Sequence, residues 1–465
     1  MEVMMTFGWV SVMLLVGILC RALIKPLANI LVPACVTGGI IGFILMNTGV
    51  LTRLGATSNA CNTIVGVFFT LSFISIGLTA VPKDENSGTN AGKEAVKGTI
   101  GMGCVWNMLY AVQPLVGLGV LLLIGAGFGL APQYGLLIPF AFCQGPGQSA
   151  TFGGMIQEAG WEGAQQVAIT YAVLGFLFAF LVGVPIAKYG MKHGLPSYPR
   201  KISPAIARGI YKPEEQTQVA GMMTTYNGNI DTLGFNAALI GLCYVITVPI
   251  CNLLKAVPIS FINTIGSMTF FIGLFVAYGV RWLMGVTGVK KYHDDNLQAR
   301  ITGFTTDYLI TAAFMAVMMT VVGKWLVPIL VVAVVTGLVT FAFCLFFASR
   351  IGGKFDFERV LGLWGCATGT CPSGVALIRI VDPELKTTAA SEMGSMNIIM
   401  IPATILAPLI IEYCKGSMQF TTLCFWFAVI FAGSLAFTII TRNFHLKPSF
   451  TLRGAKHHDE LGAEE

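Results

Sequence analysis

The chain has 465 residues and a net charge of +6; residues of the AVILMFWYC set make up 55%, Asp, Glu, Lys and Arg only 11%, and mean hydropathy is +0.77. A soluble fold covers its surface with roughly a quarter charged residues, so a water-soluble enzyme is excluded, as are disorder and nucleic-acid binding as the main activity. What remains is an all-α polytopic membrane protein.

Stretches of about 20 apolar residues, long enough to cross a bilayer, are expected in chain order at 4–24, 27–51, 61–82, 99–130 and 165–189. They continue at 234–257, 259–283, 302–323, 325–349, 391–413 and 419–441. The stretch Met1–Ile24 has no basic n-region and no small-residue cleavage site, so it reads as a retained span. Two further apolar segments are interrupted. Segment 133–157 breaks at Gln144-Gly-Pro-Gly-Gln-Ser149, and segment 358–381 at Gly365-Cys-Ala-Thr-Gly-Thr-Cys-Pro-Ser-Gly374. Such runs cannot continue a helix, and irregular backbone at membrane depth is tolerated only inside protein or beside a cavity.

The basic residues separate the two faces when both interrupted segments turn back as re-entrant hairpins. All of the 28 Lys and Arg except Arg53, Lys255, Lys324 and Lys415 then lie on one side, the cytoplasmic side by the positive-inside rule. The expectation is about eleven spans in the plasma membrane, N-terminus outside and C-terminus inside. Residues 1–189 and 234–413 show the same order of five spans and one hairpin, and an odd number of spans makes the second copy inverted. The basic, Pro-containing stretch 190–233 (Pro196, Pro199, Pro204, Pro213) reads as a cytoplasmic linker, 414–442 as an additional span, and 443–465, with His457 and His458, as a tail.

Paired broken segments at corresponding positions of two halves point to a transporter's binding site. In the first, Gly145, Pro146 and Gly147 open the backbone and leave Gln144, Gln148 and Ser149 as polar groups; unpaired N–H groups at a half-helix start favour an anion. In the second, Thr368, Gly369, Thr370, Cys371, Pro372 and Ser373 supply hydroxyls and freed carbonyls, hard oxygen donors of the kind sodium needs. Arg379 either binds a carboxylate through its planar fork, or snorkels to the inner interface or pairs with Asp382 or Glu384. Asp307 is either a cation ligand or proton carrier, or an interfacial residue. Twelve cysteines lie mostly in apolar runs without Cys-x-x-Cys or Cys/His spacing, and Cys366 and Cys371 stand five apart in an apolar setting, so neither a disulfide nor a metal centre is expected. No histidine or acid pair within the spans suggests an intramembrane enzyme, and no cofactor is expected.

At these residues the chain resembles the bacterial sodium/glutamate symporter family. Val32-Pro-Ala-Cys-Val-Thr-Gly-Gly39 is similar to the family's I-P-E-P-V-A-G-G, and Phe73-Ile-Ser-Ile-Gly-Leu-Thr-Ala80 to its F-A-T-I-G-L-N-A. Gly183-Val-Pro-Ile-Ala-Lys-Tyr-Gly-Met-Lys-His193 is similar to G-G-P-V-A-R-Y-L-V-K-H. The first break keeps Gly145, Gly147 and Ala150 of G-G-H-G-T-G-A, and the second keeps Gly365, Gly369 and Pro372 of G-F-G-L-G-A-T-P-T. The family's His and Thr are Pro146 and Gln148 here, and its A-T before the proline is Thr370-Cys371. The resemblance implies an inverted-repeat fold, a homodimer in the lipid bilayer, and symport of glutamate or a related organic anion with sodium. It also implies a moving core that carries both hairpins against a fixed scaffold. The same fold with another organic anion or proton coupling, and a receptor or channel, are the alternative readings.

Overall fold

A computed structural model describes residues 2–30, 32–79, 89–197, 221–226, 229–382 and 386–452. Every regular element among them is a helix. In chain order the main ones are α1 (Glu2–Leu23), α2 (Ala34–Asn47), α3 (Ser58–Leu78), α4 (Thr89–Ile124), α5 (Ile138–Phe142), α6 (Pro146–Glu158) and α7 (Ala164–Lys192). They are followed by α8 (Thr232–Lys255), α9 (Thr269–Val286), α10 (Asp295–Ala316), α11 (Leu326–Ala348), α12 (Asp356–Thr368) and α13 (Cys371–Val381). Last come α14, a run of three short helices over Ala389–Cys414, and α15 (Phe420–Ile440).

Three helices begin on a side-chain cap. The Thr57 hydroxyl accepts from the Ala60 N–H ahead of α3, the Asp231 carboxylate from Leu233 N–H ahead of α8, and Asp294 from Leu297 N–H ahead of α10. Within an apolar medium the helix satisfies its own backbone, and the prolines inside α4, α7 and α8 (Pro114, Pro185, Pro249) are carried by packing against neighbours. With 36 residues, α4 rises about 54 Å, well beyond the roughly 30 Å of a hydrocarbon core.

Among the described residues nine helices or helix runs are long and apolar enough to cross a membrane. They fall on nine of the eleven expected spans. Over 27–51 there stands instead the 14-residue α2, between the short helices Lys25–Ile30 and Val50–Arg53; Pro33 sits at its N-cap. Over 302–323 lies part of α10, which begins at Asp295 and carries Asp295, Arg300 and Asp307. Positions 198–220 of the linker, with Pro199, Pro204 and Pro213, lie outside the described residues, as do Lys83, Glu384, His457 and His458.

The chain divides into two compact units. The first comprises Met1–Cys20, Pro33–Ala80 and Ile210–Val317, hence most of α1 with α2, α3, α8, α9 and α10. Its core is built from Ile74, Leu78, Leu239, Ile240, Cys243, Ala277 and Met284. Between α3 and α10 runs a polar seam in which Gln298 and Thr302 donate to the Ser75 hydroxyl at 2.7 and 2.8 Å. The second unit comprises Arg21–Val32, Val81–Gly209 and Met318–Glu465, hence α4 to α7 and α11 to α15. Residues 1–189 and 234–413 thus each supply three of these helices to the first unit, and then a helix, an interrupted segment and a helix to the second, to which α15 adds one more.

Candidate functional site

Both interrupted segments belong to the second unit. The first runs through a 3-10 turn (Pro132–Leu137), α5 and α6. Its two ends lie side by side: the Tyr134 hydroxyl donates to the Glu162 carbonyl at 2.7 Å, and the Tyr134 and Trp161 rings are 5.4 Å apart. The break falls at Gly145, whose φ of 80° and ψ of −172° suit a residue without Cβ. Pro146 then opens α6, where a missing N–H does no harm. The second segment is the pair α12 and α13, whose arms approach closely where Gly365 faces Gly374, an added Cβ on Gly365 lying 2.7 Å from the Gly374 Cα. Between the arms Thr370 is extended, with φ of −152° and ψ of 167°, while Gly369, with φ of −145° and ψ of −96°, is neither helical nor extended.

The two breaks meet. A Cβ added at Gly145 would stand 2.5 Å from the Thr370 methyl and 2.9 Å from the Gly369 carbonyl oxygen. At this point α6 and α13 both begin, and no side chain caps either. Two helix N-termini with N–H groups lacking helical partners therefore converge, each equivalent to a fraction of a positive charge.

Three neighbouring helices hold the meeting point. On α7, Gly175 lies against the Thr368 carbonyl and the Phe142 ring. On α4, Tyr110 donates to the Gln144 Oε1 at 2.9 Å and stacks on Trp106 at 5.1 Å. One turn on, the Gln113 amide serves both segments: its Nε2 donates to the Ala367 carbonyl and to Thr340 Oγ1 of α11, each at 3.0 Å, while its Oε1 accepts from the Cys143 thiol at 3.2 Å. Gln113 is buried, and these bonds use both of its N–H donors and one lone pair of its carbonyl oxygen away from water.

Of the residues expected from the sequence, those flanking the breaks gather here. Gln144 is engaged by Tyr110. Ser149 is buried and donates to the Gly145 carbonyl at 3.1 Å. Gln148 is only 6% exposed, and its Oε1 has no hydrogen-bond partner. Thr368 donates to Trp364 O at 2.7 Å, and the Thr370 and Ser373 hydroxyls lie 3.3 Å apart. Arg379 stands apart from this group. It occupies the last turn of α13, about 12 Å along the helix from Cys371, and is exposed. Asp382, the neighbour expected to pair with it, accepts instead from the N–H groups of Lys386 and Thr387 at 3.0 and 2.7 Å. Asp307 lies on α10 in the first unit, beside the Cys35 thiol.

Two features had not been singled out in the sequence. Trp106, Tyr110 and Gln113 have spacings of four and three, one helical face, and this periodic polar stripe in an apolar span was the available signal. The second is Arg359, fully buried near the start of α12. Its Nε and Nη2 form a two-pronged pair with Glu392 at 2.8 Å each, Nη1 meets Asp356 at 2.8 Å, and Nη2 meets Glu94 at 3.0 Å. Glu392 also accepts from Thr388, and Asp356 from Ser449. Three remote stretches of chain, at Glu94, Thr388–Glu392 and Ser449, are thereby tied to the base of the second interrupted segment.

Nine long apolar helices among the described residues define a polytopic membrane protein, and its second unit holds two interrupted helices whose uncapped starts converge. The sequence profile of the sodium/glutamate symporter family matches residues 1–384, and the chain belongs to that family. It is a transporter, not an enzyme. The sodium/glutamate symporters of Escherichia coli (strain K12) and Shigella flexneri are each 22% identical to it over 299 residues, 63% of this chain and 69% of theirs.

Proposed function

We propose that this transporter couples the entry of sodium to uptake of glutamate or a closely related carboxylate, with the cargo held where the two breaks meet. The observation that carries the reading is the convergence of α6 and α13, whose uncapped N-termini offer N–H groups and helix dipoles to a carboxylate. Gln148 lies one turn into α6, and its unpartnered Oε1 is an acceptor suited to the ammonium of an amino acid. The oxygens of Thr368, Thr370 and Ser373, with the carbonyls of the Gly369 peptide, are the ligands assigned to sodium. Gly147, Gly145, Pro146 and Pro372 shape the backbone, and Gln144, Ser149 and Cys371 complete the lining. Arg379 and Asp307 are left outside this site.

In this reading both interrupted segments are re-entrant hairpins, which the adjacency of Tyr134 to Glu162 and of Gly365 to Gly374 supports. The matching order in which each half feeds the two units supports a five-span inverted repeat. The second unit, holding both hairpins, is the carrier that moves, and the first is the scaffold through which two copies pair in the plasma membrane.

The test is uptake of labelled glutamate into proteoliposomes with and without an inward sodium gradient. Accumulation is expected only with the gradient; equal, unsaturable flux in both conditions from correctly inserted protein overturns the proposal. Gln148→Ala is expected to weaken apparent substrate affinity about tenfold, the size of one lost hydrogen bond to a charged group, without changing the melting temperature. Thr370→Val is expected to raise the sodium concentration needed for half-maximal uptake, and an unchanged requirement moves the ion elsewhere.

A further inference from the structure

Inside the second hairpin the thiols of Cys366 and Cys371 face each other, their sulfurs 3.4 Å apart. Both are free. Cys366 lies buried in the last turn of α12, while Cys371 opens α13 and is partly exposed. A disulfide places its sulfurs about 2.05 Å apart, so the bond needs an approach of about 1.4 Å, within the reach of side-chain rotation. The residues between them, Ala367 to Thr370, are the tip itself, including the Gly369 carbonyl that lies against Gly145. A nearby thiol, Cys143 of the first hairpin, is held by the Gln113 amide, which leaves Cys366 and Cys371 as each other's reaction partners.

We propose that Cys366 and Cys371 form a reversible oxidation site whose disulfide locks the tip of the second hairpin. The oxidant class is a peroxide. The sulfur of Cys371, the more exposed of the two residues, attacks the peroxide O–O bond, giving a sulfenic acid and one water. The Cys366 sulfur then attacks the Cys371 sulfur; the S–S bond forms, the S–O bond breaks, and a second water leaves with the remaining thiol proton. Two electrons pass from the two thiols to the peroxide, and a dithiol returns them. The bond depends only on the observed juxtaposition. Its effect on transport rests on the reading that the tips part and close around the cargo, because a short covalent loop across the tip fixes the backbone that has to rearrange.

The experiment treats proteoliposomes carrying the full chain with hydrogen peroxide. It reads the peptide containing both cysteines by mass spectrometry and sodium-driven glutamate uptake in parallel. The expected result is a peptide two hydrogens lighter than its reduced form and a severalfold fall in uptake, both reversed by dithiothreitol. Cys366→Ala, with Cys366→Ser as a second replacement, is expected to retain uptake and lose the sensitivity to peroxide. An unchanged peptide mass, or a bond from Cys371 to Cys143, overturns the site; a formed bond with undiminished uptake overturns the lock. Should the reduced protein take up no glutamate at all, that failure falls on the functional reading, and the mass of the peptide still decides the bond.

Discussion

Gly145 is the residue on which the meeting of the tips depends most narrowly. Its φ of 80° with ψ of −172° falls in a region that essentially only glycine adopts, strained by about 1–3 kcal/mol for a residue with a Cβ, and that Cβ would collide with the Thr370 methyl and the Gly369 carbonyl. Gly145→Ala is expected to push the hairpins apart and abolish most uptake while lowering the melting temperature by only a few degrees, since the strain is local. Full activity in this variant would detach the tips from transport. The breaks themselves were legible in the sequence because Gly, Pro and Ser in an apolar segment violate helix chemistry outright. Tyr110 and Gln113 were not, because a single polar residue in a span looks like packing until its partners are seen, and Ala367 lies 254 residues from Gln113. Arg379 drew attention as an arginine beside an acid, yet Asp382 spends its oxygens on main-chain N–H groups. Arg359, in the same segment, carries the ion pairs instead.

At the level of the element, the second interrupted segment is anchored at its base by charge and at its break by shape. Arg359 is enclosed by Glu392, Asp356 and Glu94, all within 3.0 Å. Removing one member of a buried set strands the others in a poor solvent for charge, which costs about 3–5 kcal/mol. Arg359→Met is therefore expected to destabilise the detergent-solubilised protein by that order in an unfolding titration. Combining it with Glu392→Gln should recover part of the loss, whereas a simple sum of two losses would show that the pair acts separately. This anchor escaped sequence reading because its carboxylates are 3, 33 and 265 positions away, and only the nearest falls at a helical spacing. The helices themselves were more readable. Nine of the expected spans stand as long apolar helices, while α2 is short because Pro33 sets its start and Gly49, with φ of 78°, follows its end.

For the whole molecule, the distribution of Lys and Arg predicts which side each terminus faces. A fluorescent protein fused after the last residue is expected to fluoresce in the cytoplasm, and alkaline phosphatase at the same place to stay inactive; active phosphatase would invert the topology. The broken segments indicated a repeat in the sequence, but the partition into two units did not follow from them. It arises from side-chain contacts between remote helices, such as Asn107 of α4 donating to the Ile399 carbonyl of α14 at 2.8 Å.

That interleaving has a consequence for how the protein is made. Asn107 and Gln113 enter the bilayer early, whereas their carbonyl partners Ile399 and Ala367 are synthesised 292 and 254 residues later. At roughly 5–20 residues per second, these two carbonyls follow the amides that bond them by about 13 to 58 seconds. During that interval a ribosome-bound half-chain has to keep its polar stripe beside water, lipid headgroups or the insertion machinery. A ribosome stalled between the end of α7 and Ala367 therefore leaves a first half whose helices are all made but which is unable to close its own interior.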